Sequence, residues 1–297
     1  MTDRPSKLAI VTGEESPALS DDGKQLAAAL ATRGVRSEPV MWNDPSVEWR
    51  SYDAVLLRSC WDYPEDQTRF RAMLDELERA DVPVCNPIHV LRWNHHKSYL
   101  VELADNGVRI PQTVVIERGT DRSLEAVFEN QGWEEAVVKP AVGTGSTDVW
   151  RVSRSAAGES ERRFSELLAE HDVLVQQFVP DIVAGERSIV FFGGEYSHAW
   201  NSPTTEEDIT AFEGIDAAYE PTSEIRKQAS EAVQVACDIL GIEPQRLPYA
   251  RVDYVRHESE LLLLELELIE PHLRFGCDEN SVGRFVEVLL SYFEAVF

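Results

Sequence analysis

The chain has 297 residues, of which 43% are apolar, and this length suffices for two or three packed units with a sizeable core. It carries 53 acidic and 28 basic residues, and the net charge of −25 argues against nucleic acid as a partner because such a surface repels phosphate backbones. No apolar run approaches the roughly 18 residues of a membrane span, and the amino terminus is polar, so we expect a cytoplasmic protein with no membrane partner.

The basic residues comprise five lysines and 23 arginines, while the acidic residues are spread along the whole chain. A dispersed acidic surface stays soluble where salt screens its self-repulsion, and this composition favours a salt-adapted, halophilic cytoplasm. The four cysteines show no CxxC spacing, so we expect reduced, mostly buried thiols rather than a zinc site or disulfides.

The first 88 residues alternate short apolar strands with amphipathic helices. The pattern predicts, in chain order, strand 7–12, helix 21–32, strands 35–41 and 53–57, helix 65–80 and strand 82–85. These elements indicate a parallel βαβ-type sheet, in which ligands bind beyond the carboxyl ends of the strands. Segment 58–63 (RSCWDY) follows the third strand, and we expect it at that edge.

Residues 89–172 predict a second unit. Its elements are helix 94–105 with Asn94 as N-cap, strand 113–116, helix 123–131, strand 136–139, a small-residue loop at 140–148, strand 148–152 and helix 159–170.

Residues 173–297 predict a third unit with mainly antiparallel strands. Its elements are strand 173–179, hairpin strands 186–192 and 195–200, helix 224–240, strands 250–255 and 261–269, and helix 282–296. The apolar residues of the last helix belong either to the core, which we favour, or to the face of a possible homodimer; they are Val286, Leu289, Leu290 and Phe293.

Three carboxylates are expected on one face of the last two strands. Glu265 and Glu267 are two residues apart and point to the same side of a strand, and a hairpin can bring Asp253 beside them. Such groups repel one another unless a cation is present, and hard oxygen ligands suit Mg²⁺ that bridges to phosphates. The alternative is a solvated sheet face of an acidic protein, which the apolar run at 261–264 disfavours.

Two of the lysines stand where a phosphate-binding site would need them. Lys139 ends a buried strand and precedes a loop whose backbone N–H groups can wrap phosphates, with Gly143, Gly145 and Ser146 as candidates. Lys97 is expected in the first turn of helix 94–105, where a cation opposes the helix dipole and requires an anionic partner. Each could instead be an ordinary surface lysine, since the loop matches neither the Walker nor the Rossmann fingerprint.

The next extended segment has features that suit a purine nucleoside. The backbone around Gln176, Gln177 and Val179 can read an adenine edge, and the carboxylate of Glu186 can bind ribose hydroxyls. By themselves these residues leave the ligand open.

The order of these features resembles the ATP-grasp superfamily, and the resemblance covers nearly the whole chain. The phrases LLRSCWDY at 56–63, RSIVFF at 187–192 and ELELIEP at 265–271 are most similar to the glutathione-synthetase-like group. That group includes the O-ureido-serine cyclo-ligase of cycloserine synthesis, and D-alanine:D-alanine ligases share the arrangement. The resemblance implies an α/β and α+β ATP-grasp fold, with an N-terminal parallel α/β pre-ATP-grasp domain at 1–88, a central lid subdomain at 89–172 and a C-terminal subdomain with the metal site at 173–297.

The resemblance also implies an ATP- and Mg²⁺-dependent carboxylate–amine or cyclising ligase, which activates a small amino-acid-like substrate as an acyl phosphate and releases ADP and phosphate. Lys97 and Lys139 then hold the ATP phosphates, the segment from Gln176 to Val179 takes adenine, and Glu186 takes the ribose. The implied metal ligands are Asp253, Glu265 and Glu267, with Glu270 as an alternative to Glu265. Arg251 and Arg274 are candidates to stabilise the acyl phosphate.

The substrate pocket is expected between segment 58–63, the metal-binding strands and residues 272–274. Arg58 could clamp a carboxylate bidentately, Asp62 could bind an amine, and Ser59 and Tyr63 lie in the same segment. The alternative for the aromatic residues of the segment is simple packing of the loop.

The chain departs from the family pattern in one region. Relatives carry a basic, glycine-rich stretch after the hairpin, whereas residues 201–214 contain no lysine or arginine. A lost transition-state arginine costs a large rate factor. The rival hypothesis is therefore a catalytically degenerate member that binds nucleotide as a sensor or structural module. A Rossmann dehydrogenase is a weaker option, because the first βα turn lacks GxGxxG.

Overall fold

The computed structural model describes residues 5–204, 216–257 and 260–296. These residues form three sheets with strand orders β2-β1-β3-β4, β5-β8-β6-β7 and β11-β10-β9-β12-β13, whose bounds are given below. None of the described helices has both the length and the apolar character needed to cross a membrane.

The first sheet is parallel and buries the apolar strands that the sequence predicts. Its strands are β1 (Lys7–Thr12), β2 (Arg36–Met41), β3 (Ala54–Ser59) and β4 (Val84–Cys85), and its helices are α1 (Asp21–Thr32) and α2 (Gln67–Ala80). Ser20 and Asp66 cap the two helices by accepting hydrogen bonds from backbone N–H groups of the first turn. The carboxyl end of β3 therefore delivers segment 58–63 to the ligand edge of the sheet.

The prediction of a single helix over residues 94–105 is wrong. The structure has two short helices, α3 (Ile88–Asn94) and α4 (Tyr99–Asp105), with a turn between them that carries Lys97. Asn94 is the last residue of α3 rather than an N-cap, and its side chain donates to Leu266 O at 2.7 Å and accepts from Leu268 N at 2.8 Å. The long-range use of this amide overrides its local capping preference.

The central sheet is antiparallel and contains one strand more than expected. Its strands are β5 (Thr113–Ile116), β6 (Glu135–Pro140), β7 (Trp150–Ser153) and β8 (Val173–Gln177), and its helices are α5 (Leu124–Gln131) and α6 (Ala157–Glu170). The additional strand is β8, which pairs with both β5 and β6 and lies directly after the proposed boundary at 172.

The third sheet carries the last two predicted strands side by side. Its strands are β9 (Glu186–Phe192), β10 (Glu195–Ser202), β11 (Ala217–Ala218), β12 (Ala250–His257) and β13 (Glu260–Glu267), and the following helices are α7 (Ser223–Leu240) and α8 (Ser281–Glu294). The apolar side of α8 packs into a core shared with β1 and α1, so Val286, Leu289, Leu290 and Phe293 are core residues. The possible homodimer thereby loses the surface on which it was based.

Candidate functional site

The centre of the site is the antiparallel hairpin of β12 and β13. Asp253 lies opposite Glu265, and Arg251 lies opposite Glu267, which confirms that the hairpin brings the expected acidic residues together. On its other edge β12 pairs with β9, where Ser188 lies opposite Asp253.

One arginine joins two of the carboxylates. The guanidinium of Arg251 donates from Nε to Asp253 at 2.9 and 3.0 Å and from Nη2 to Asp253 at 2.8 Å, and the same Nη2 contacts Glu267. The Asp253 carboxylate, which is 2% exposed, also accepts a hydrogen bond from Ser188 Oγ at 2.6 Å. This network holds the guanidinium in a fixed plane at the end of the carboxylate face.

Two lysines converge on the third carboxylate. Lys97 Nζ lies 2.8 Å from Glu265 Oε2, and Lys139 Nζ lies 2.9 Å from Glu265 Oε1. Although burial opposes its charge, the two ammonium groups hold the pKa of Glu265 well below its usual range. Lys97 therefore has its anionic partner, but it reaches it from the turn between α3 and α4 and not from a first helical turn.

Carboxylates outnumber cations at this site. Five acidic residues face three basic ones, and these eight are Glu186, Asp253, Glu265, Glu267, Glu270, Lys97, Lys139 and Arg251. Burial, followed by the charge of Asp253, raises the pKa of Glu186 to about 8. Burial likewise raises the pKa of Glu267 to about 7, and it raises the pKa of Glu270 well above the ordinary value. The cluster is short of positive charge, which is the condition that a divalent cation corrects.

The donor chemistry fits Mg²⁺, but the side chains do not hold a metal-ligating arrangement. Within the described ranges no group of three or more His, Cys, Asp or Glu side chains is placed so that it could bind a metal ion. The reason is visible in the contacts: Lys97 and Lys139 occupy Glu265, and Arg251 occupies Asp253 and Glu267. The expected three-carboxylate set is therefore adjacent in the sheet but divided between protein cations.

The small-residue loop lies next to the lysines. Lys97 binds it twice, since its N–H donates to Ala141 O at 2.7 Å and its Nζ donates to Gly143 O at 3.1 Å. Gly145 and Ser146 both have φ of 59°, a left-handed conformation that turns the loop sharply. The hydroxyl of Thr144 also donates to the carbonyl of Trp61, which ties the loop to segment 58–63.

The expected adenine region contains apolar residues that the sequence analysis did not single out. Phe178, Ile182 and Val255 form a small buried cluster, against which further partly buried side chains pack: Val137, Val179, Val183, Leu262 and Leu264. The side chain of Gln176 is used inside the sheet, where it donates to Thr113 Oγ1 at 2.9 Å, whereas Gln177 is exposed. Alternation along β13 could have found this surface, because Leu262 and Leu264 share one face.

Three of the candidate substrate residues in segment 58–63 have partners within the protein. Ser59 donates to Ser20 Oγ at 2.9 Å, and Asp62 accepts from Trp42 Nε1 at 2.7 Å and from Glu14 N at 2.9 Å. Tyr63 is 4% exposed, and its ring stacks on Phe70 at 4.4 Å. These groups are occupied because the segment folds back over the β1–α1 loop.

Arg58 and Trp61 instead hold the turn that follows β13. Arg58 Nη2 donates to Pro271 O at 2.7 Å, and Trp61 Nε1 donates to Glu270 O at 3.0 Å. The indole of Trp61 also stacks on the imidazole of His272, with ring centroids 4.1 Å apart. Burial and nearby arginines lower the pKa of His272 to about 3, so this ring is neutral at pH 7. Neither the stacking of His272 on Trp61 nor the hydrogen bond from Ser188 to Asp253 was predicted from the sequence.

Arg274 lies at the edge of the site. Its Nε lies 2.8 Å from Asp216 Oδ2, and its backbone is left-handed with φ of 45°. The departure noted for 201–214 falls largely on residues 205–215, which lie outside the described residues. Within the described part, Ser202 Oγ donates to Asp216 at 2.7 Å.

Comparisons with known proteins point to one family. The N-terminal domain model of the D-cycloserine synthetase DcsG matches residues 8–86. The cycloserine biosynthesis protein DcsG of Streptomyces lavendulae is 32% identical over 294 residues, which span 95% of this chain and 97% of that protein. A glutathione synthetase of Rhodopseudomonas palustris is 28% identical over 199 residues, 64% of this chain and 60% of that enzyme.

Comparison with solved structures supports the same family. The crystal structure of D-cycloserine synthetase DcsG superposes with a TM-score of 0.87 at 30% identity, covering 97% of this chain and 99% of that one. The ATP complex of D-alanine–D-alanine ligase from Bacillus anthracis superposes with a TM-score of 0.70 at 15% identity, covering 98% of each chain, and this likeness supports the fold alone.

Proposed function

This chain belongs to the ATP-grasp family that includes the D-cycloserine synthetase DcsG, and on that basis we propose that it closes a small ring by joining a carboxylate to a nitrogen of the same substrate molecule. It is an ATP-dependent ligase that forms a C–N bond and produces ADP and phosphate. The ring closure and the substrate are the proposal: an amino acid of the O-ureido-serine type, which carries its attacking nitrogen on the side chain.

The chemistry assigns a task to each part of the site. MgATP supplies the phosphoryl group that converts the substrate carboxylate into an acyl phosphate with a good leaving group. Lys97 and Lys139 would hold the phosphates, and Asp253, Glu265 and Glu267 would hold Mg²⁺. Arg251, fixed beside them, neutralises charge that develops on the acyl group. The side-chain nitrogen then forms the C–N bond, loses its proton, and phosphate departs.

One observation carries the proposal: the two lysines and Arg251 converge on the carboxylate hairpin in a chain that is related to DcsG over 95% of its length. Burying several charges costs stability, so a structural or sensing module has no need of a surplus of carboxylates with raised pKa. The degenerate alternative is therefore disfavoured.

The test is turnover of O-ureido-D-serine with MgATP, followed by coupled detection of ADP and mass spectrometry of the product. We expect one ADP per ring formed and no requirement for a second amine, with Asp253→Asn as the inactive control. ADP release only when a separate amine is added would replace the cyclising reaction by an intermolecular ligation. Tight nucleotide binding with no turnover would favour the degenerate member.

We also propose a cytoplasmic, salt-adapted enzyme. The net charge of −25 and four free cysteines, three of them buried, support this. The unfolding midpoint should rise between 0.1 and 2 M KCl, and light scattering over the same range tests for the homodimer. A midpoint that is insensitive to KCl would contradict the salt adaptation.

A further inference from the structure

Glu270 is an acidic residue of the site that contacts neither the lysines nor Arg251. It is 6% exposed, and none of the described residues donates a hydrogen bond to its carboxylate or forms an ion pair with it. On the hairpin, by contrast, Asp253, Glu265 and Glu267 each contact a cation of the protein. A buried carboxylate without a partner is costly, so its presence points to a ligand.

The main chain at Glu270 is held in place from the first unit. Trp61 Nε1 donates to Glu270 O at 3.0 Å, and Arg58 Nη2 donates to Pro271 O at 2.7 Å. Glu270 lies beyond the end of β13, three residues after Glu267, whereas Glu265 lies opposite Asp253 inside the sheet. The sheet pairing therefore favours Glu265 and Glu267 as the metal pair and leaves Glu270 to another ligand.

None of the described cations near Glu270 forms an ion pair with it. Arg251 binds Asp253 and Glu267, and Lys97 binds Glu265 and Gly143 O. Arg58 donates from Nη2 to a carbonyl, and although its buried Nη1 has no hydrogen-bond partner, the guanidinium does not contact the Glu270 carboxylate. The neighbouring imidazole of His272 stacks on Trp61. Among the described residues the Glu270 carboxylate is thus left to pair with a cationic group of the substrate.

We propose that Glu270 binds the α-ammonium group of a zwitterionic amino-acid substrate whose carboxylate lies at Arg251. Arg251 reaches the same turn, since its Nη1 donates to His272 O at 3.3 Å. In an α-amino acid the nitrogen and the carboxyl carbon are only about 2.5 Å apart, so neighbouring anionic and cationic groups can bind both ends.

This assignment, which rests on the proposed function, has a chemical consequence. An ammonium group that is paired with a carboxylate keeps its proton and has no lone pair with which to attack an acyl phosphate. The α-nitrogen is therefore a spectator, and the nitrogen that forms the new bond comes from the side chain. Glu270 thus selects α-amino acids and directs the reaction towards ring closure.

The test compares two probes that differ only in the amine: O-ureido-D-serine and 3-(ureidooxy)propanoate. In Glu270→Gln the preference in kcat/KM for the aminated probe should fall about 10- to 100-fold, which is the worth of one charge-assisted hydrogen bond. Calorimetry with the Mg²⁺ complex of AMPPNP should show weaker binding of O-ureido-D-serine, while nucleotide affinity and its Mg²⁺ dependence change less than about twofold. Glu267→Gln is the matched control, in which the Mg²⁺ dependence should change.

Either of two results with the ring-forming probe and its deaminated analogue overturns the inference. If Glu270→Gln alters the Mg²⁺ dependence and keeps the preference between probes, Glu270 is a metal ligand. If Glu270→Gln lowers kcat/KM equally for both probes, the role of Glu270 is structural. If the wild-type protein closes no ring, the proposed function fails, and Glu270 is then judged by binding of D-serine against 3-hydroxypropanoate in the presence of AMPPNP and Mg²⁺. The ammonium site is refuted if the wild-type protein does not prefer D-serine. It is also refuted if Glu270→Gln keeps the wild-type preference for D-serine.

Discussion

The hairpin of β12 and β13 and the segment 58–63 meet at the same site, yet they are built in different ways. On the hairpin, strand periodicity fixes which side chains share a face, and backbone pairing places Asp253 opposite Glu265. In segment 58–63 three polar side chains have their partners in distant parts of the chain: Arg58 at Pro271, Ser59 at Ser20, and Asp62 at Trp42. The candidate metal-binding carboxylates lie on paired strands, and segment 58–63 binds the turn beside them.

Arg251→Ala should have the largest effect, because it removes the cation that bridges the buried carboxylate of Asp253 and the half-buried carboxylate of Glu267. We expect a loss of about 3–5 kcal/mol in the unfolding free energy of the nucleotide-free protein and a loss of about 10³-fold in kcat. Thermal unfolding and ADP release measure the two. Mg²⁺ should recover part of the stability of this variant, because the metal can take the place of the guanidinium; no recovery would argue against metal binding at Asp253 and Glu267.

Lys139→Gln should weaken nucleotide binding next. A charge-assisted hydrogen bond contributes about 1.5–3 kcal/mol, which corresponds to about 10- to 100-fold in the Kd for ATP. Lys97→Gln is the matched variant, and it should also loosen the small-residue loop because Lys97 Nζ binds Gly143 O. Calorimetric titration with AMPPNP, together with proteolysis of the loop, separates the two variants. Equal protease sensitivity would show that Lys97 does not hold the loop.

The contrast between local strand periodicity and contacts distant in sequence also explains how far the sequence predicts the fold. The ATP-grasp family, the α/β class and the position of most strands follow from apolar periodicity and from the resemblance, and the comparisons confirm the family. The break between α3 and α4 was missed, because the Asn94 amide is recruited by β13, which lies more than 170 residues away. The place of β8 in the central sheet was not predicted for a similar reason: β8 pairs with strands that precede it in the chain.

In the site, too, local patterns could be predicted from the sequence and contacts distant in sequence could not. Asp253, Glu265 and Glu267 could be placed together from strand alternation, and their roles at Mg²⁺ remain predictions. The ion pairs of Glu265 with both lysines could not be predicted, because they depend on where Lys97 and Lys139 point in three dimensions. The hydrogen bonds of Ser59 and Asp62 could not be predicted because their partners are distant in sequence.

The pH dependence of stability tests the carboxylates that lie on the strands. Burial raises the pKa of Glu186 to about 8 and that of Glu267 to about 7, so between pH 6.5 and 8 the folded state binds more protons than the unfolded state. The stability of the nucleotide-free protein should therefore fall as pH rises through this window. Urea unfolding at constant ionic strength measures the slope. Glu186→Gln should flatten the slope, and an unchanged slope in this variant would assign the protons to other groups.

The smallest effect on activity is expected from a change in segment 58–63. Trp61→Phe keeps an aromatic ring against His272 but loses the hydrogen bond from Nε1 to Glu270 O. One neutral hydrogen bond is worth about 1 kcal/mol, or about fivefold in affinity. The KM of O-ureido-D-serine should rise by this factor, while the KM for ATP stays unchanged because the hairpin that faces the nucleotide is held by its own sheet. A parallel rise in both constants would mean that the loop supports the whole hairpin and that the two regions are not separate in function.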